Sequence, residues 1–345
     1  MPGLALWAGL MTSAAFAVVI SGIIFVDRPL RSTPTEQTSV AQANASKVAS
    51  TLSSSSASES GKATGAKPAA AAIESNASAA ILGASFSPPP ESELPPGEYG
   101  KIIQLGEQVF RNTGQYAGKY VGNSLNCANC HLDAGRKADS APLWASFIHY
   151  PAFRSKTGQV DTLAARIQGC FEYSMNGKAP PQDDEIMTAL QTYAFWLAKG
   201  APVGTPVPGS GYPKLKKPPM AADYVRGEAV YTANCALCHG ADGQGQKSGG
   251  EQVFPPLWGP KSFNWGAGMH QLGNASGFIK ANMPLGKGGS LSDQEAWDVA
   301  MYMNSHERPQ DPRYAGSVEA TRKKYHDSDD SMYGRTVDGK VLGSQ

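Results

Sequence analysis

Two short phrases constrain this chain more than any other feature: Cys127-Ala-Asn-Cys130-His131 and Cys235-Ala-Leu-Cys238-His239. Two cysteines at this spacing lie on one helical turn, and the histidine that follows lies beside them. The pattern is the attachment signature of c-type haem, with thioethers to the two vinyl groups and the histidine as proximal iron ligand. A zinc site needs a second pair of ligands near each phrase, and neither copy has one. A thioredoxin-like dithiol expects a βαβ context, which is absent. A covalent macrocycle also provides a core for loop-rich domains, which suits 38 glycines and 25 prolines in 345 residues. Attachment consumes four of the five cysteines and leaves Cys170 alone, so no disulfide within the chain is expected.

The phrases belong to a longer internal repeat. The first copy reads Gly106-Glu-Gln-Val-Phe110, the first CxxCH, then Pro142-Leu-Trp-Ala-Ser-Phe147. The second reads Gly227-Glu-Ala-Val-Tyr231, the second CxxCH, then Pro256-Leu-Trp258 with Ser262-Phe263. Helical signals frame each copy. Ile102, Leu105, Val109 and Phe110 form an apolar stripe over residues 101–110. Asp183, Asp184 and Glu185 start a second helix carrying Ile186, Leu190, Tyr193 and Leu197. Ser292-Asp-Gln-Glu295 is a capping box ahead of Trp297, Ala300, Met301 and Met303. Strand patterns are scarce. The expected fold is mostly α: two tandem class-I-like cytochrome c domains, residues 98–200 and 220–315, each wrapped around a covalent haem. A Pro/Gly-rich linker (201–219) joins them and a polar tail (316–345) follows.

Ahead of the domains, residues 4–26 are almost wholly apolar and long enough to cross a bilayer of about 30 Å. Residues 1–30 are expected to be a membrane anchor or a signal segment, with a cleaved signal and a soluble periplasmic protein as the alternative. Residues 31–97 are rich in Ser, Ala and Pro and read as a flexible tether. Covalent haem attachment implies export, so the expected place is the periplasmic side of the cytoplasmic membrane. Thirty Lys+Arg against 29 Asp+Glu, a net charge of +1, argue against nucleic-acid binding through bulk charge.

Each iron needs a second axial ligand. Met283, in Asn282-Met-Pro-Leu-Gly286, stands 44 residues after His239, the usual distal phrase of small c-type cytochromes. Met269, His270, Met301 and Met303 compete with it. The first copy has no Met-Pro. Its counterpart is Cys170, 39 residues after His131 and, like Met283, shortly after an isoleucine (Ile167; Ile279). Met175, Met187 and His149 are the alternatives. Residues 162–175 read as one helix closed by Asn176-Gly177, with Arg166, Cys170 and Ser174 on one face. A guanidinium beside a thiolate stabilises it and offers a fork to an oxyanion. Arg154, Lys156 and Lys178 are further candidate cations for an anion pocket.

These residues together resemble the thiosulfate dehydrogenase family of dihaem c-type cytochromes. The resemblance rests on Tyr150-Pro-Ala-Phe-Arg154, Lys156-Thr-Gly158, Thr162-Leu163, Arg166-Ile167, Gly169-Cys-Phe-Glu172, Ser174-Met-Asn-Gly-Lys178, both CxxCH motifs and Asn282-Met-Pro-Leu-Gly286, and covers residues 98–312. It implies an active-site haem ligated by His131 and Cys170 and an electron-transfer haem ligated by His239 and Met283. It implies oxidation of two thiosulfate to tetrathionate, possible in reverse as tetrathionate reduction, with an external acceptor such as a soluble cytochrome. Some relatives place a lysine directly before that Met as an alternative ligand; here the position is Asn282, with Lys280 further back. The rival reading is a dihaem electron carrier without turnover, which needs neither a thiolate nor an anion pocket. A cytochrome that conjugates thiosulfate to a carrier protein is a third.

Overall fold

The computed structural model describes residues 86–344. The expected apolar segment 1–30 and most of the expected tether lie outside the described residues. Among those described, no helix is long and apolar enough to cross a membrane. The first half is built on α1 (Gly97–Arg111), α2 (Leu143–His149), α3 (Leu163–Gly169) and α4 (Glu185–Leu197). The second is built on α5 (Tyr224–Asn234), α6 (Leu272–Asn282), α7 (Asp293–Asn304) and α8 (Val318–Tyr325). The strands described form small antiparallel hairpins: β1 (Ala152–Arg154) with β2 (Gln159–Asp161), β3 (Gln246–Ser248) with β4 (Glu251–Phe254), and β5 (Thr336–Val337) with β6 (Lys340–Val341).

In each half the first helix crosses a later one, α1 on α4 and α5 on α7. The repeated glycine permits the crossing. A Cβ at Gly106 would lie 2.3 Å from the Ala189 carbonyl oxygen and 2.6 Å from Tyr193 Cβ; at Gly227 it would lie 2.1 Å from the Asp298 carbonyl oxygen. Four residues on, the block's aromatic packs on the crossing helix: Phe110 on Tyr193 and Tyr231 on Tyr302, with ring centroids 6.2 and 5.2 Å apart. The acidic and capping-box signals act as expected. Asp184 accepts from Ile186 N at 3.0 Å, and Ser292 and Glu295 bond reciprocally.

Three segments expected to be a tether, a linker and a polar tail pack against the domains. The end of the tether packs on the first half: Phe86 meets Trp144 edge-on at 5.0 Å, and Arg136 donates to the Pro89 carbonyl at 2.6 Å. The linker 201–219 buries Val207, and its Lys216 carbonyl accepts from Trp297 Nε1 at 3.1 Å. The tail forms α8 and the β5–β6 hairpin. It is anchored by fully buried Tyr333 and by buried His326, which lies 2.9 Å from Asp311 and 3.2 Å from His270. Isolated apolar side chains in polar sequence (Phe86, Val207 and Tyr333) help hold these segments, a signal that composition averages away. The expected 162–175 helix also differs. Thr162 caps α3, but from Cys170 the backbone widens into a π turn, with Met175 N donating to the Cys170 carbonyl at 2.9 Å.

Candidate active site

Each CxxCH phrase lines its own cavity. The first, of about 210 Å³, is lined by Cys127, Cys130 and His131 and by Phe110, Leu143, Ile167, Phe171 and Leu190. The second, of about 270 Å³, is lined by Cys235, Cys238, His239, Tyr231, Leu257 and Ile279. Apolar walls, unpaired cysteines and an imidazole at each cavity form a donor set that fits covalent haem c. The Pro-Leu-Trp block explains itself here. The carbonyl directly before it lies within hydrogen-bonding distance of the histidine's Nδ1: Ala141 O at 2.6 Å from His131, Pro255 O at 3.0 Å from His239. An Nδ1–H donated to that oxygen leaves Nε2 as the metal-facing nitrogen. Burial pushes the His131 pKa down to about 4 and lowers that of His239, which keeps both imidazoles neutral.

The candidate distal residues separate by position. Cys170 lines the first cavity and Met283 the second. Among the competitors, Met175 lines the first cavity, Met303 the second and Met269 both. Met187 is fully buried in the core outside the first cavity, and His149 faces the Ala145 carbonyl of its own helix. Met301 does not line the second cavity, and His270 is committed to the buried cluster with His326.

Around Cys170 the cavity turns polar. Arg166 Nη1 lies 2.8 Å from Cys170 Sγ, and the sulfur's charge holds the guanidinium above its ordinary range. Ser174 lines the same cavity despite the π turn. Arg154 joins them from β1. It bonds the Tyr150 hydroxyl and lies 3.9 Å from Asp161, which Thr157 also contacts at 3.1 Å. Lys156 and Lys178 are not brought to the wall. Lys156 sits over the Tyr173 ring at 3.3 Å and donates to the Gly266 carbonyl, and burial, with Arg313 and Arg166 nearby, pushes its pKa down to about 7. Lys178 is exposed; sequence proximity placed it near Cys170, but Asn176 in the left-handed region (φ 46°) turns the chain away.

Five lining residues of the first cavity come from the linker or the second half and were not singled out as site residues: Tyr212, Phe263, Ala267, Gly268 and Asn274. Two of them carried a signal: Phe263 as part of the repeated block, and Tyr212 as the lone aromatic between Pro208 and Pro218. Leu125, Cys130, Phe263 and Met269 line both cavities, so the two sites adjoin.

Two family models match. The SoxA/TsdA cytochrome c domain covers residues 113–203, and the cytochrome c oxidase cbb3-type subunit III model covers residues 222–303. The chain is 58% identical over 261 residues to thiosulfate dehydrogenase of Thiomonas intermedia (strain K12), which is 76% of this chain and 83% of that one. It is 56% identical over 260 residues to thiosulfate dehydrogenase of Stutzerimonas stutzeri (strain A1501), 75% of this chain and 85% of that one. Thiosulfate dehydrogenase (TsdBA) from Marichromatium purpuratum, in its as-isolated form, superposes with a TM-score of 0.74 at 51% identity. That match covers 76% of this chain, and the chain spans 59% of the length of that structure. Two cytochrome c domains with two covalent haem c groups, and relatives of this identity over more than four-fifths of their length, make the chain a member of the thiosulfate dehydrogenase family of dihaem c-type cytochromes.

Proposed function

We propose that the chain oxidises two thiosulfate ions to one tetrathionate in the first cavity and passes two electrons through the second domain to an external acceptor. The observation that carries the reading is the 2.8 Å approach of Arg166 Nη1 to Cys170 Sγ in the cavity that holds His131. His131 and Cys170 would hold the first iron, and His239 and Met283 the second. Cys127, Cys130, Cys235 and Cys238 would carry the thioethers. When bound, the two haems supply one-electron acceptors, the thiolate-ligated one at lower and the Met-ligated one at higher potential.

The chain's own residues do the rest. Arg166 and Arg154 receive the sulfonate oxygens of thiosulfate, a dianion, with Ser174 as a neutral donor. The sulfane sulfur forms a bond to Cys170 Sγ, giving a Cys-S–S–SO₃⁻ adduct and releasing two electrons. A second thiosulfate then attacks the sulfane sulfur of that adduct. The bond to Sγ breaks, Cys170 leaves as thiolate, and tetrathionate forms. No proton enters or leaves, and charge balances in both steps. The same geometry serves the reverse direction when electrons are supplied. An anaerobic assay with thiosulfate and an artificial acceptor tests the reading. It should give one tetrathionate per two thiosulfate consumed and per two electrons transferred. Acceptor reduction with another sulfur product would overturn it.

A further inference from the structure

Asn282 is fully buried at the last position of α6, directly before Met283. Its Nδ2 donates to two carbonyl oxygens, Phe278 O in its own helix at 3.1 Å and Asp139 O in the first domain at 2.9 Å. Both partners are acceptors, so the amide orientation is forced: the NH₂ must face them. Its Oδ1 is left buried with no partner. An unpaired buried carbonyl is costly. What the amide provides in return is the bond to Asp139.

That bond has a particular position. Asp139 and Ala141 lie in one tight loop with left-handed backbone (φ 61° and 50°). The Ala141 carbonyl of the same loop faces His131 Nδ1. Beyond Asn282, the Met283 loop is tied only to its own helix: Met283 N to Ile279 O at 2.8 Å and Gly289 N to Lys280 O at 2.7 Å. Among the described residues, Asn282–Asp139 is the hydrogen bond that joins this segment to the first domain.

We infer that Asn282 is a positioning residue that braces Met283 against the second iron by anchoring the end of α6 to the loop that orients His131. The inference rests on the reading of Met283 as distal ligand. Without the brace, Met283 spends more of its time off the iron. A net buried hydrogen bond of this kind shifts such an equilibrium roughly two- to tenfold.

The test uses the full-length dihaem protein as Asn282→Ala, Asn282→Leu and Met283→Ala, each with covalent haem stoichiometry checked. The readouts are the ferric methionine–iron charge-transfer band and the midpoint potential of the second haem. Leu nearly preserves the shape of Asn but cannot donate, so it separates bracing from space filling. The expected result is a weakened band and a lowered second-haem potential in both Asn282 variants, with the first-haem spectrum unchanged. Should Asn282→Leu fail to accumulate with both haems, Asn282→Ala carries the comparison. Loss of the band in Met283→Ala, with wild-type band and potential in the Asn282 variants, would overturn the brace. Retention of the band in Met283→Ala would overturn the ligand reading, and the brace with it.

Discussion

Replacing Arg166 by alanine isolates the anion-binding half of the site. The side chain stands on α3, one turn before Cys170, with Nη1 2.8 Å from the sulfur in the first cavity. Removing it deletes a charge-assisted hydrogen bond to the thiolate and the planar fork offered to the sulfonate. Hydrogen bonds to charged groups contribute about 1.5–3 kcal/mol. At 1.36 kcal/mol per decade, that is a loss of roughly ten- to a hundredfold in kcat/KM for thiosulfate. Arg166→Lys should recover part of the loss, because it keeps charge but not the fork. The helix tolerates all three residues, since Arg, Lys and Ala are good helix formers. Lys178→Ala is the control: an exposed cation away from the cavity wall should stay within twofold of wild type, roughly the scale of a surface change. The assay is anaerobic steady-state turnover with an artificial acceptor, on proteins whose haem spectra match wild type. Wild-type kcat/KM in Arg166→Ala would refute the reasoning and move the anion site to Arg154.

Met283→Ala should lower the potential of the second haem and slow turnover while thiosulfate binding at the first cavity is retained; potentiometric titration beside a binding measurement checks both. Lys156 stands off the cavity wall but within electrostatic reach of Arg166 and Cys170; with its pKa pushed down to about 7, it adds positive charge behind the anion site only below that value. Wild-type kcat/KM should therefore fall as pH rises through about 7, and Lys156→Met should remove that step. The stability sign is opposite. Above about 7 the folded chain has shed a proton that the unfolded lysine keeps until its ordinary value of 10.5, so stability rises with pH across that window. A denaturation series of wild type against Lys156→Met reads this directly. Gly106→Ala places a Cβ 2.3 Å from the Ala189 oxygen and should cost about 1–3 kcal/mol of stability. Equal denaturation midpoints would contradict the close crossing of α1 on α4.

Local spacing made much of this molecule legible. The CxxCH phrases, the capping box at Ser292 and the acidic start at Asp184 act within a few residues, so the sequence displays them whole. The repeat carried further, because comparing its copies aligned Cys170 with Met283, and the two residues do line corresponding cavities. It did not explain itself: that Gly106 and Gly227 are crossing points, and that the carbonyls of Ala141 and Pro255 face the histidines, appears only once chains separated in sequence are packed. Lys178 shows the converse, a residue near Cys170 in sequence and turned away by one left-handed residue. Asn274 reaches the first cavity from beyond its own domain with no local pattern to announce it, and the isolated aromatic Tyr212 stood out in sequence without showing where it packs. The π turn at 170–174 was hidden because a single widened turn leaves the apolar period almost unchanged.

The central claim is that Cys170 sulfur is the reacting group as well as a wall of the haem cavity. Its most direct test is tetrathionate production by Cys170→Ala, with Cys170→Met beside it, in proteins carrying two covalent haems. Neither variant should form tetrathionate, while the second haem should remain reducible and spectrally unchanged. Tetrathionate at the wild-type rate from a fully haem-loaded Cys170→Ala protein would contradict it.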